Sequence, residues 1–188
     1  ATGENGVSGI CGSGIIEAVA GLYLAGVVRA DGVIDSACAG RSHRVQRNGK
    51  TCQYLLYEGT AGRSVVTITQ ADIRAVQLAK AALYAGAQLL MQRMGVGKVD
   101  RIRLAGAFGS HIDVRYAMVL GMIPDCALEH VSSAGNAAGT GARLALLSAG
   151  AREEIERRVR LVEKVELAID PGFQRCFVEA MGIPHSAH

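Results

Sequence analysis

The sequence predicts an α/β domain with parallel strands and helices on the sheet faces, and three observations point to it. Residues 100–105 read as a buried strand that runs into Gly106-Ala107-Phe108-Gly109-Ser110 and a short helix. Residues 129–133 read as a second strand leading into the small-residue segment from Gly135 to Ala142 and another helix. Two such units in succession imply parallel strands joined by helical connections. Third, two short runs rich in β-formers, 53–57 and 64–69, flank Glu58-Gly59-Thr60-Ala61-Gly62 and read as an antiparallel hairpin, so the strand content is mixed.

The remaining elements follow from periodicity and caps. A helix is expected over 14–25, with Ser13 as its cap, Gly26 to end it, and Ile15, Ile16, Val19, Leu22 and Tyr23 as its apolar stripe. Between 27 and 64 the pattern weakens; Asp31-Gly32 and Asn48-Gly49 are turn signals, and the basic, polar stretch 41–50 reads as a solvated loop. Thr69 and Asp72 form a capping-box start for the longest helix, 70–94, which Gly95 terminates. Its apolar face is read as Ile73, Val76, Leu83, Ala87, Leu90, Met91 and Met94, interrupted near the middle by Gln77 and Lys80. After the second strand unit come a charged amphipathic helix over 151–163 and a strand over 164–169. A last helix is capped by Asp170 with Pro171 at its first position. A single domain over 1–184 is expected, with 185–188 as a frayed tail.

With 188 residues, 49% of them hydrophobic and 20% charged, the chain can bury one sizeable core and is too short for two large domains. The net charge of +3 is spread among acidic residues and forms no basic stripe, so no nucleic-acid partner is expected. No run approaches the roughly 18–20 apolar residues that cross a bilayer, and the start of the chain has no signal-type pattern. No membrane association and a cytoplasmic location are expected. The chain opens on Ala1 without a methionine, which suggests a piece of something longer. Its five cysteines are widely spaced with no CxxC pair, so they read as reduced thiols, mostly small core residues, rather than a disulfide framework or a local metal or iron-sulfur site. There is no HExxH spacing, no nucleophile elbow and no carboxylate pair; no catalytic residue and no metal ligand is assigned.

The candidate binding residues are therefore backbone-presenting turns and misplaced polar groups. Small residues at Gly106, Ala107, Phe108, Gly109 and Ser110 let backbone N–H groups approach a ligand, with a nucleotide as the natural candidate. The same glycines equally suit close strand-helix packing. His111 and Asp113 beside them read as cap or solvent-facing residues. Asn136 is a ligand contact or part of a tightly packed helix start, and Gly12, Ser13 and Gly14 either present amides to an anion or simply cap. Gln77 and Lys80 stand in an apolar stripe and must find partners or a wet cleft.

A resemblance adds to this reading. Gly9-Ile10-Cys11-Gly12-Ser13-Gly14-Ile15-Ile16-Glu17 resembles a motif of the iron-sulfur reductive activators of corrinoid enzymes. The run from Ile68-Thr69-Gln70 through Gln77-Leu78-Ala79-Lys80-Ala81-Ala82, the Leu104-Ala105-Gly106-Ala107-Phe108-Gly109 turn with Ile112-Asp113, the Gly135-Asn136-Ala137-Ala138 segment and Asp170-Pro171-Gly172-Phe173 are similar to that family in the same order. The resemblance implies the C-terminal portion of an actin-like, ribonuclease H-like (ASKHA) ATPase domain. It implies a parent that uses ATP and Mg²⁺ to help a 2Fe-2S domain reduce the cobalt of a corrinoid protein. By it, Gly106 to Ser110 correspond to the adenosine motif, Gly135 to Ala142 to a helix linking two lobes, and Gln77 and Lys80 to ribose-side contacts. The family's cluster cysteines and Asp-Gly-Thr phosphate loops have no counterpart in these residues, so weak or no nucleotide binding by the chain alone is expected. A docking module for the corrinoid protein that takes no nucleotide is the alternative, a small-molecule kinase is the weakest reading, and a homodimer is left open.

Overall fold

The computed structural model of the chain describes residues 7–59 and 65–184. Helix α1 (Gly12–Leu24) is capped by Cys11, whose sulfur accepts from Gly14 N at 3.4 Å, while Ser13 sits inside the first turn. The expected end is observed, with Gly26 at φ +66°. A single 3₁₀ turn, Ser36–Gly40, precedes the first strand and is capped by Asp35.

Strands β1 (Val45–Asn48), β2 (Thr51–Glu58) and β3 (Val65–Thr69) form an antiparallel sheet in the order β1-β2-β3. The β2-β3 pairing is the hairpin read from the sequence; the turn assigned to 58–62 lies largely outside the described residues. Strand β1 corrects the solvated-loop expectation for 41–50. Asn48-Gly49, noted as a turn, folds the segment back on itself with Gly49 at φ +61°, and Val45 anchors it in the core. Four residues with one inward apolar side chain leave too little alternation to read as a strand.

Helix α2 (Gln70–Arg93) starts with the expected capping box: Thr69 Oγ1 accepts from Asp72 N, and the Asp72 carboxylate accepts from Thr69 N. Its buried face differs from the expected one. Leu83, Leu90 and Met94 face solvent, whereas Ile73, Val76, Gln77, Lys80, Ala81, Ala85, Gly86 and Leu89 are buried. The reason is the neighbour: α7 (Pro171–Glu179) packs along α2, with Leu89 against Gly172 at the start of α7 and Gly86 facing Leu167 just before it.

Strand β4 (Ile102–Ala105) pairs in parallel with β5 (Val131–Gly135). Helices α3 (Gly106–His111) and α4 (Val114–Leu120) follow β4, and α5 (Ala137–Leu147) follows β5. The parallel and antiparallel pairings are thus carried by two separate sheets. Asp113 caps α4 by accepting from Arg115 N at 2.9 Å, and Gly121 closes it at φ +69°. Helix α6 (Ala149–Val159) is shorter than expected, and the strand assigned to 164–169 is not formed; a 3₁₀ turn at Leu167–Ile169 stands there instead. Its alternating apolar residues find no neighbouring strand to pair with, and Ile169 is exposed. Helix α7 begins as read, on Asp170 and Pro171, with Arg93 at the end of α2 bridging to Asp170 at 2.8 Å.

One core joins α1, the 27–45 segment, the antiparallel sheet, the first half of α2, α4 and β5. Four cysteines, Cys38, Cys52, Cys126 and Cys176, are buried as expected of small core residues, and Cys11 is exposed. No helix among the described residues is long and apolar enough to cross a membrane.

Candidate functional site

The β4-β5 pair brings most of the sequence-derived candidates to one edge. Both strands exit through a glycine with positive φ, Gly106 just after β4 at +95° and Gly135 at the end of β5 at +62°, and the chain then enters a helix in each case. An L-residue is strained at such angles, so glycine is what lets each strand turn directly into its helix. Parallel strands place these exits on the same side, the carboxyl edge where α/β sheets take their ligands.

Gly106 and Gly109 have different jobs in this turn. A Cβ at Gly106 would meet nothing within 4 Å, so its backbone is open to an approaching group. At Gly109 a Cβ would come within 3.2 Å of the Leu104 backbone carbon, so this glycine serves helix-on-strand contact. The packing role read from the sequence thus falls on Gly109, while the space beside Gly106 is open.

Ser110 Oγ donates to Gly106 O at 2.8 Å and lies 3.4 Å from Ser133 Oγ, which in turn accepts from Gly135 N at 3.1 Å. This chain of bonds locks the two strand exits together. Sequence reasoning missed Ser133; its signal was a hydroxyl two residues before a glycine at a strand end, where Ser bonds the backbone of a turn. Asn136 caps α5, its Oδ1 accepting from Gly139 N at 2.9 Å. The side chains of Ala107 and Phe108 lie outside the described set. Gly12 and Ser13 start α1, which packs beside α3 and α4. There the Cys11 thiol is held below the usual range by the Ser13 hydroxyl and by Gly14 N–H.

Gln77 and Lys80 sit elsewhere. Gln77 is 2% exposed and its Nε2 donates to Asp31 O at 3.2 Å and Met181 O at 2.9 Å; Lys80 is 1% exposed and its Nζ donates to Gly182 O. Together with Ile183 N bonding Ala30 O at 2.8 Å, they fasten the C-terminal segment and the 30–32 turn to α2. Burial pushes the Lys80 ammonium down to about 8. Among the described residues the Lys80 ammonium has a carbonyl partner and no carboxylate, so desolvation prevails. Among the described residues no group of three or more His, Cys, Asp or Glu gathers to hold a metal ion.

Comparison with known proteins gives three consistent likenesses. The family model described as the C-terminal domain of RACo, the ASKHA domain, matches residues 1–188. The corrinoid activation enzyme RamQ of Eubacterium limosum is 36% identical over 186 residues, covering 94% of this chain and 31% of the relative. A solved structure of a reductive activator for corrinoid, iron-sulfur protein superimposes with a TM-score of 0.83 at 32% identity, covering 95% of this chain and 29% of that one. The chain spans about a third of the length of these relatives.

Proposed function

Because this chain belongs to the family of RACo C-terminal ASKHA domains, we propose that it is the ATP-binding lobe of a protein that reductively activates a corrinoid protein. In the parent, electrons pass from a 2Fe-2S domain outside these residues to the corrinoid protein in an ATP-dependent step. The observation that carries the reading is the shared edge of β4 and β5, where Gly106 leaves open backbone beside the Ser110-Ser133 lock.

An adenosine moiety suits that edge. Gly106 to Ser110 would line it, with Asn136 at the start of α5 and Gly12 and Ser13 on α1 beside α3. When bound, ATP supplies the free energy for the conformational change that makes an unfavourable electron transfer possible. What this lobe's own residues do is hold and orient: small side chains admit the ligand, and the serine lock keeps the two exits in register. Ribose contacts from Gln77 and Lys80 require that the carbonyls of Asp31, Met181 and Gly182 first release them. The groups that grip phosphate and Mg²⁺ are assigned to the rest of the parent, so the isolated chain binds nucleotide weakly or not at all.

Photolabelling of the intact parent with an azido-ATP tests the site. Recovery of label in the peptide holding residues 106–110 is expected, and label confined to other peptides overturns the assignment. Calorimetric titration of the chain alone is expected to show no tight binding; a submicromolar dissociation constant contradicts the division of labour. The second reading, a docking module without nucleotide, draws on the exposed Leu144, Leu146 and Leu147 of α5. It is favoured if capture of the corrinoid protein is indifferent to ATP and no label is taken up.

A further inference from the structure

A concavity lies away from the β4-β5 edge. It is a cleft of about 370 Å³ between the Asp31–Ser36 turn, the start of β2 and the first two turns of α2, and among the described residues none of its lining comes from α1, α3, β5 or α5. Its volume falls in the range of small-molecule sites. Its walls are fixed by α2 itself: Gln70 Nε2 donates to Gly32 O at 2.7 Å and its Oε1 accepts from Ile34 N at 3.0 Å. Gly32, at φ +79°, lies so close to the Gln77 amide that a Cβ would come within 2.2 Å of it. The cleft is therefore preformed rather than a gap between mobile parts.

Its charges are unbalanced. Lys50 and Arg74 both line the cleft, and among the described residues neither has a hydrogen-bond or ion-pair partner. Among the described residues the one lining carboxylate, Asp31, is already engaged by Arg29 at 2.7 Å and by Val33 N–H at 3.0 Å. An ammonium-bearing and a guanidinium-bearing residue lining one concavity, together with Ser36 and Thr51, suit oxygens carrying negative charge. Two cations match a dianion better than a monoanion, and a phosphate monoester, whose second ionisation lies near pH 6, is a dianion at neutral pH. Val33, Ile34 and Cys52 give the same cleft an apolar part suited to the ester's carbon body.

We propose that this cleft binds a small phosphate monoester, the phosphate held between Lys50 and Arg74 and the organic part against Val33, Ile34 and Cys52. The site shares Gln77 with the ribose-side residues of the nucleotide reading, but neither strand exit nor the serine lock, so loss of phosphate binding in the Lys50 and Arg74 variants leaves the 106–110 labelling test unaffected. Both cations are exposed, so Lys50→Gln and Arg74→Gln preserve the fold, and unchanged amide spectra away from the cleft verify this. The test is amide-shift titration of the chain with inorganic phosphate and with glycerol 3-phosphate, at ionic strength held constant with chloride. Saturable shifts at Ser36, Thr51, Cys52 and Arg74 are expected, with affinity falling about tenfold or more in each variant, as loss of a charge-assisted bond implies, and with the ester binding more tightly than phosphate. Shifts that do not saturate, or that saturate equally in wild type and both variants, overturn the site. An ester that binds no better than phosphate overturns the monoester assignment.

Discussion

Helices α2 and α5 carry similar small-residue stripes, yet the molecule treats them oppositely. Ala81, Ala85 and Gly86 of α2, the helix along which α7 packs, are buried, whereas no residue of α5 or α6 is buried and Leu146 and Leu147 are each 81% exposed. Helix α2 is held at both ends and in the middle, by its capping box, the Arg93-Asp170 bridge and the Gln77 and Lys80 bonds to distant carbonyls. Helices α5 and α6 pack chiefly on each other, with local caps at Asn136 and Ser148. The difference teaches that a stripe of small residues states only that something can come close. What comes close in α2 is another part of this chain.

The largest effect that this contrast predicts belongs to Gln77. Gln77→Ala strips the donor from two carbonyls in the interior and opens a cavity beside Gly32, and is expected to cost about 3–4 kcal/mol in urea unfolding. A loss under about 1 kcal/mol would mean that the clamp is dispensable.

Lys80 gives the next effect through pH. Its folded ammonium titrates near 8, against 10.5 for the ordinary lysine. Between those values the unfolded chain binds more protons than the folded one, so stability rises with pH through that window, and the penalty is fully present below about 8. The gain approaches about 3 kcal/mol at most. Unfolding at several pH values should show this rise in the wild type and not in Lys80→Met; parallel curves would sink the desolvation account.

Gly32→Ala comes third, with both a positive φ and the Gln77 amide in the way, and a loss of about 2 kcal/mol is expected in thermal unfolding. The smallest effect has the opposite sign. Gly141 lies inside α5 with open space around it, so Gly141→Ala should stabilise the chain by about 0.5–1 kcal/mol through helix propensity. Destabilisation there would show that α5 is more closely packed than its exposure indicates.

Much of this fold was readable because its signals are local. Thr69-Asp72, Asp170-Pro171 and the glycines after β4 and β5 act within a few residues of themselves, and each appears where the sequence placed it. Strand β1 escaped notice because it has one inward apolar residue and depends on β2 for its existence. The strand assigned to 164–169 failed for the complementary reason, having alternation but no partner. At the candidate site Gly106 and Asn136 were readable as backbone features, whereas Ser133 was not, because its role depends on meeting Ser110 across two strands.

The sequence alone determined the caps of α2 and α7, the two strand-glycine-helix units and the presence of two polar groups in an apolar stripe, whereas the cap of α1 is Cys11 instead of Ser13 and α6 has other limits than those read. Only the tertiary structure decided which face of α2 is inside and what satisfies Gln77 and Lys80. Their acceptors are carbonyls 104 and 102 residues away, and backbone carbonyls are the same at every position of a sequence. Periodicity reports that a face must be covered; the covering partner is set by packing between distant segments, which no local pattern encodes.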